Sequence, residues 1–317
     1  MEFYSSPVTF AVKHKDEKVR AASRSGGVFT ALSDAVLEKG GVVYGAVLDE
    51  NMMAHHVRAA DRETRDRMRG SKYVESRLGT AYKDVLEDLR SGIPVLFTGT
   101  SCQVAGLRAF LGRDYEDLLL ADILCHGVPS PKLWRKYLQW QEEKHGRCTE
   151  VDFRNKTDFG WADHVESLRF ENGGKVDSKV YSTLFYSHQI LRPSCYECRY
   201  KTVMHPGDIT MADYWEIERA LPGFNDNRGV SLVMVNNDRG LRAFEAVRDS
   251  LVWEKTEYEN STRKSMFTPA NRPQDRARFW RDVEERDFGY IANHYGGNAL
   301  STKIEQKLRS LVRALRK

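Results

Sequence analysis

The sequence predicts an α/β (α+β) protein: a mixed sheet with flanking helices, chemistry-bearing residues at strand ends and loops, and a helical C-terminal tail. Three observations lead to this. Residues 93–125 run strand, turn, helix, strand, turn, the order of a parallel pair whose ligands sit at the carboxyl ends of the strands. Residues 149–182 read as short antiparallel strands around a Gly173-Gly174 turn. Beyond residue 250 the chain is polar and helical in pattern, and residues 303–317 close it with an amphipathic stretch.

Each element has its own justification. Residues 7–12 form a short apolar strand, followed by a charged loop over 13–20. A helix opens at Ser25-Gly26-Gly27, with Val28, Phe29, Leu32, Ala35 and Val36 on its apolar side and Gly40-Gly41 as its stop. The serines are expected to cap it, and the two glycines would let a ligand approach free backbone N–H groups. Residues 42–48 and 55–60 read as a strand and its hairpin partner. The arginines from Arg58 to Arg69 are balanced by Asp61, Glu63 and Asp66 and read mostly as a solvated face, whereas Lys72 and Tyr73 follow a glycine in a loop.

A helix over 79–90, a strand over 93–98, a turn at 99–102, a helix over 103–112 and a strand over 118–124 come next. Pro129 to Pro131 starts a helix over 131–145 whose Trp134, Tyr137, Leu138 and Trp140 read as core. Strands over 149–154, 166–170 and 175–181 follow, with a loop exposing Phe159, Trp161 and His164. A helix over 182–191 delivers Cys195-x-x-Cys198, and strands over 208–215 and 230–235 and a helix over 238–250 complete the pattern. The expected division is a catalytic domain over 1–255 and a helical extension over 256–317.

Composition bounds the function. A hydrophobic fraction of 41% over 317 residues suits a folded soluble protein. The 49 basic and 45 acidic residues leave a net charge of only +4, with both signs interspersed, so no nucleic-acid partner is expected. No apolar run reaches the ~20 residues of a membrane span. Residues 1–10 lack the features of an export signal, and the five cysteines are an odd number, so reduced thiols and a cytoplasmic location are expected. The basic, amphipathic 303–317 stretch could lie on the inner surface of a membrane, bind a partner, or dock on its own domain.

The cysteines carry the chemistry. Cys102 and Cys125 each emerge at the end of a strand, and Cys195 and Cys198 sit in a tight pair. Four thiolates supplied in this way can close a metal site, an iron–sulfur cluster or a zinc ion. Cys148 lies in a polar turn and is left out.

These motifs resemble those of the coenzyme-reducing hydrogenase/dehydrogenase beta-subunit family, flavin and iron–sulfur proteins named for a deazaflavin coenzyme. The matching blocks are Ser25 to Leu32, Lys72 to Gly79, Gly99 to Leu107, Asp122 to Pro131, Cys195 to Cys198 and Gly207 to Trp215. The resemblance implies a 4Fe–4S cluster on Cys102, Cys125, Cys195 and Cys198 and a bound FAD. Ser25, Gly26, Gly27, Lys72, Tyr73, Thr100, Asp208 and Asp213 are the candidates for the flavin pocket; the candidate catalytic residues are His126, as a proton donor, and Lys72, which could meet a flavin or an anionic substrate. His126 is also a candidate hydrogen-bond donor to a ligand sulfur. A ferredoxin-like module with which many members begin has no counterpart here, so electrons are expected from a separate ferredoxin, a partner subunit or a reduced coenzyme. Ser101, Ala212 and Glu216 depart from the family pattern.

The expected function is therefore an FAD- and 4Fe–4S-dependent oxidoreductase acting on a small organic substrate, such as a nucleotide- or lipid-linked sugar in surface polysaccharide synthesis. The alternatives are an electron-transfer subunit that reduces a deazaflavin coenzyme within a larger complex, and a zinc-stabilised binding protein. A homo-oligomer is compatible with any of them.

Overall fold

The computed structural model describes residues 2–299, and the amphipathic 303–317 stretch lies outside them. The described residues build eleven strands. These are β1 (Val8–His14), β2 (Val42–Leu48), β3 (Ala54–Ala59), β4 (Val95–Thr100), β5 (Leu118–Ile123), β6 (Cys148–Asp152), β7 (Glu166–Phe170), β8 (Lys175–Ser178), β9 (Ile209–Asp213), β10 (Ser231–Val235) and β11 (Leu251–Thr256). Eight form one mixed sheet in the order β11-β1-β10-β9-β5-β4-β2-β3, and β6-β7-β8 form a small antiparallel sheet. The α/β class with flanking helices is as the sequence predicts.

Within the large sheet β9, β5, β4 and β2 run parallel, while β10, β1 and β11 alternate in direction on one side and β3 is antiparallel to β2 on the other. The strand period of two sorts the core. Val43, Leu96 and Ala121 face one layer, which holds Val28 and Leu32 of the helix Val28–Leu37 and Phe244 of the helix Asp238–Val247. Val42, Tyr44, Val95, Phe97 and Leu120 face the other, under the helices Ala81–Arg90 and Ser101–Leu111.

A separate aromatic core joins the helix Pro131–His145 (Trp134, Tyr137, Leu138) to β7 and to the helix Val180–Tyr186. Phe279 and Val283 of the helix Arg276–Glu285, and Phe288 and Ile291 of the helix Phe288–His294, complete that same core. None of the helices in the described residues is long and apolar enough to cross a membrane.

Three local readings are corrected. Residues 251–256, expected to be helical, form β11, which pairs antiparallel with β1 from Thr9↔Thr256 to His14↔Leu251. Part of the expected loop over 13–20 is a short helix, Glu17–Ala22, capped by Asp16, whose carboxylate accepts from the N–H groups of Lys18 and Val19. Trp161, expected at the surface, is 2% exposed.

Candidate functional site

A cavity of about 1270 Å³ opens at the carboxyl ends of the parallel strands. Thr100 of β4, Ile123 of β5 and Asp213 of β9 all line it. This is the edge where an open α/β sheet usually binds its ligands, because the loops leaving adjacent strands diverge there.

The thiols gather at this edge. The register Thr100↔Ile123 places the ends of β4 and β5 side by side. Cys102 lies in the first turn of the helix that follows β4, and Cys125 lies two residues past β5; both line the cavity. The segment after Cys125 is then tied to the one that carries the cysteine pair. Ser130 donates its N–H to Ile190 O at 2.9 Å, and Arg192 donates its N–H to Val128 O at 2.8 Å. Val128 N–H reaches the Cys195 sulfur at 3.4 Å. None of the four is in a disulfide.

Burial pushes the Cys125 thiol up to about 12; Lys201 opposes the shift, and Cys195 and Cys102 reinforce it. Cys195 is raised by burial and by Cys198 and Cys102, against a pull from the Val128 N–H. The Lys201 ammonium is lowered by burial and held up by Cys125, Cys198 and Cys195. The four sulfurs are thus linked through Cys125 and Cys195, and Cys125, Cys195 and Cys198 share one cation, Lys201. Unligated, Cys125 and Cys195 stay protonated at neutral pH, and a metal would have to displace those protons. Cys148 is buried in the aromatic core, away from the site.

Among the flavin candidates Ser25, Gly27, Lys72, Tyr73, Thr100 and Asp213 line the cavity, whereas Gly26 and Asp208 do not. The glycine pair has a local explanation. A Cβ on Gly26 would stand 2.0 Å from Val12 O and 2.7 Å from Ser231 N, so the chain can press against β1 and β10 only without a side chain. Gly27 caps the helix at φ 91°, a left-handed conformation natural to glycine. The expected serine caps do not form: Ser23 donates to Val19 O and Ser25 to Val230 O. The helix therefore starts without a side-chain cap, with Val28 and Phe29 on the cavity wall.

Asp208 is fully buried and ties elements together, accepting from Arg108, from Asn237 and from the N–H of Leu120 at 2.8–2.9 Å. Lys72 points its ammonium at the carbonyls of Arg67, Met68, Arg69 and Gly70, 2.7–3.3 Å away. Burial and Arg67 pull it down to about 7. Tyr73 stacks on Phe185 with ring centroids 4.8 Å apart. Thr100 places its hydroxyl 3.1 Å from the Cys102 sulfur. His126 packs edge-on to Phe185 and Tyr186 and leaves a buried Nε2 without a partner. Burial, with His188 and Lys201, lowers it to about 4, so the ring is neutral near pH 7.

Sequence reasoning missed Lys201, Arg24 and Arg154 at this site. Lys201 was within reach, three residues past Cys198. Arg24 and Arg154 carried no local signal, since 130 residues separate them.

Among the described residues no group of three or more His, Cys, Asp and Glu side chains is placed to hold a single metal ion. No curated protein matches the chain. Its fold matches a chain of the F420-reducing [NiFe] hydrogenase complex from Methanosarcina barkeri with a TM-score of 0.55, at 19% identity, covering 83% of this chain and 87% of that one. Two family models match in tandem, the N-terminal part over residues 9–82 and the C-terminal part over residues 94–261. With more than half of its length inside the second match alone, and with the motif blocks falling at the strand ends around the cavity, the chain belongs to the coenzyme F420 hydrogenase/dehydrogenase beta-subunit family.

Proposed function

We propose that this protein is an electron-transfer subunit of a larger oxidoreductase complex, holding a 4Fe–4S cluster and FAD and exchanging a hydride with a deazaflavin coenzyme. The observation that carries the reading is the meeting, in one cavity, of Cys102 and Cys125 with the uncapped start of the helix Val28–Leu37. A bound cluster passes electrons singly, and a bound flavin converts between single electrons and a hydride.

The residues fit both groups. Four thiolates on a single zinc would stand about 3.8 Å apart, given Zn–S bonds of about 2.3 Å. A 4Fe–4S cluster asks less convergence of the four, because each thiolate binds its own iron. Lys201, among the sulfurs, offsets the negative charge of the ligated thiolates. The cavity exceeds the ~1,000 Å³ upper range of ordinary small-ligand pockets, as an extended dinucleotide requires. The free helix amides beside Gly27 suit its phosphates.

The protein's own contribution is position and proton control. Tyr73 and Phe185 form a rigid aromatic wall, and the neutral His126, with one ring nitrogen unpartnered, stands next to a thiol ligand. The structural relative is part of a hydrogenase complex that reduces coenzyme F420, which favours the subunit reading for this chain as well. Nothing supports a sugar substrate or a role in polysaccharide synthesis.

The test is anaerobic purification with iron, sulfide, zinc and flavin analysis. About four iron and one flavin per chain are expected, and Cys198→Ala should lose visible absorbance and iron together. A colourless protein with one zinc, or a Cys198→Ala variant with its full iron content, would overturn the reading.

A further inference from the structure

One wall of the cavity holds an unusual charge arrangement. Arg154 and Arg24 line it and are both nearly buried, with side chains 3% and 10% exposed. They share one carboxylate: Arg154 donates to Asp213 at 2.5 Å, and the Arg24 Nε stands 3.8 Å from the same oxygen. Both guanidiniums also donate to the carbonyl of Trp161, at 3.2 and 2.5 Å. The indole of Trp161 donates to the other Asp213 oxygen at 3.1 Å. The Nε atoms of Arg24 and of Arg154 are buried and have no hydrogen-bond partner.

Asp152 and the Lys156 ammonium also act on this group, so three cations face two carboxylates and a positive charge is left in excess. His164 beside them is held neutral by burial and by the two arginines. Burying unpaired charge is costly, so such an arrangement persists where an anion completes it. The pair is also built rigidly. Trp161 stacks on Trp215 with centroids 4.9 Å apart and planes 11° from parallel, and the Arg154 guanidinium lies 5.0 Å from the Trp215 ring centre. Trp215, 37% exposed, gives the subsite an aromatic rim.

We propose that Arg24 and Arg154, braced by Asp213 and Trp161, form a recognition site for a carboxylate or phosphate on the organic molecule that exchanges a hydride in this cavity. The proposal rests on the functional reading above and assigns the anion to the substrate, leaving the flavin phosphates to the helix start at Gly27. Guanidinium forks match the planar geometry of carboxylates and the tetrahedral edge of phosphates, and buried charge-assisted bonds are the stronger ones. Asp213 competes with the ligand for the same cations.

The test titrates inorganic phosphate and acetate into the full chain before and after FAD loading, at constant ionic strength, following the fluorescence of Trp161 and Trp215. Wild type should bind phosphate with or without FAD. Arg24→Gln should weaken it about tenfold, Arg24→Lys should recover part of that loss, and Asp213→Asn should tighten it several-fold by removing the competing carboxylate. A merely structural ion pair would not give a tighter Asp213→Asn variant. Equal affinity in wild type, Arg24→Gln and Asp213→Asn overturns the proposal. So does phosphate that displaces FAD, which would give the arginines to the flavin. A protein that takes up no FAD overturns the functional reading instead, and the titrations without FAD still decide whether the anion site exists.

Discussion

Lys72 and Ser101 show how much a residue's meaning depends on where its polar atoms go. Lys72 follows the short helix Arg62–Asp66, and its ammonium gathers four carbonyls of the turn that ends it. Burial pulls its pKa down to about 7, but four carbonyl acceptors stabilise the charged form. Removing it leaves those acceptors without a donor, so Lys72→Met should lower unfolding free energy by about 2 kcal/mol, with Lys72→Arg losing less. Chemical denaturation reads this, and an activity loss beyond the stability loss would show a catalytic role. Ser101 sits at the first position of the helix Ser101–Leu111, where proline is tolerated because that N–H has no partner within the helix. Its hydroxyl makes only long contacts, 3.3 Å to His205 and 3.4 Å to Ile123 O. Ser101→Pro should therefore change stability by less than about 1 kcal/mol and leave iron content unchanged; a collapse of either would show that the serine is needed beside Cys102.

At the scale of elements, the helix Val180–Tyr186 carries a buried carboxylate at its start. Glu166 of β7 accepts from the N–H groups of Tyr181 and Ser182 at 2.8 and 3.3 Å. Burial raises it from 4.5 to about 7 against those hydrogen bonds. Its folded pKa lies above its unfolded one, so the folded state keeps a proton that the unfolded chain has released. The linked stabilisation is full below about pH 4.5 and is lost as pH rises to about 7. Melting temperature should fall across that window, and Glu166→Gln should flatten the dependence; an unchanged slope in the variant would place the titration elsewhere. Neither this carboxylate nor its partners was legible beforehand, because the contact is made across the aromatic core. The strands that line the cavity were legible, since Val42–Leu48 and Leu118–Ala121 are apolar runs largely buried on both faces. Leu251–Thr256 was not: it is an edge strand with Glu254 and Lys255 exposed, and such charges, which protect an edge from aggregation, also hide its pattern. The same division holds in the site. The cysteines were visible because their motifs are local, whereas the Arg24–Arg154–Asp213 group is made of common residues joined only by folding.

Across the whole molecule, the proposed cluster joins two bodies of core. Cys102 and Cys125 hang from the ends of β4 and β5 in the large sheet. Cys195 and Cys198 follow Ile190 and Leu191, which are packed into the aromatic core with Trp134 and Phe279. The described hydrogen bonds that tie the segment after β5 to the one carrying the cysteine pair are those at Ser130, Arg192 and Val128. Metal–thiolate bonds made only in the folded state add their binding free energy to stability. Iron removal should therefore lower the melting temperature and loosen the region around 188–204 selectively. Hydrogen exchange on iron-loaded and iron-free protein reads this directly. Amides of 188–204 should exchange at least tenfold faster without iron, while those of β1 and β10, held by antiparallel pairing from Val8↔Val235 to Val12↔Ser231, should keep their protection. Cys198→Ala should reproduce the iron-free pattern in protein otherwise treated identically. Uniform loosening of both cores would show instead that the chain folds as one cooperative unit in which the thiol site is no special joint.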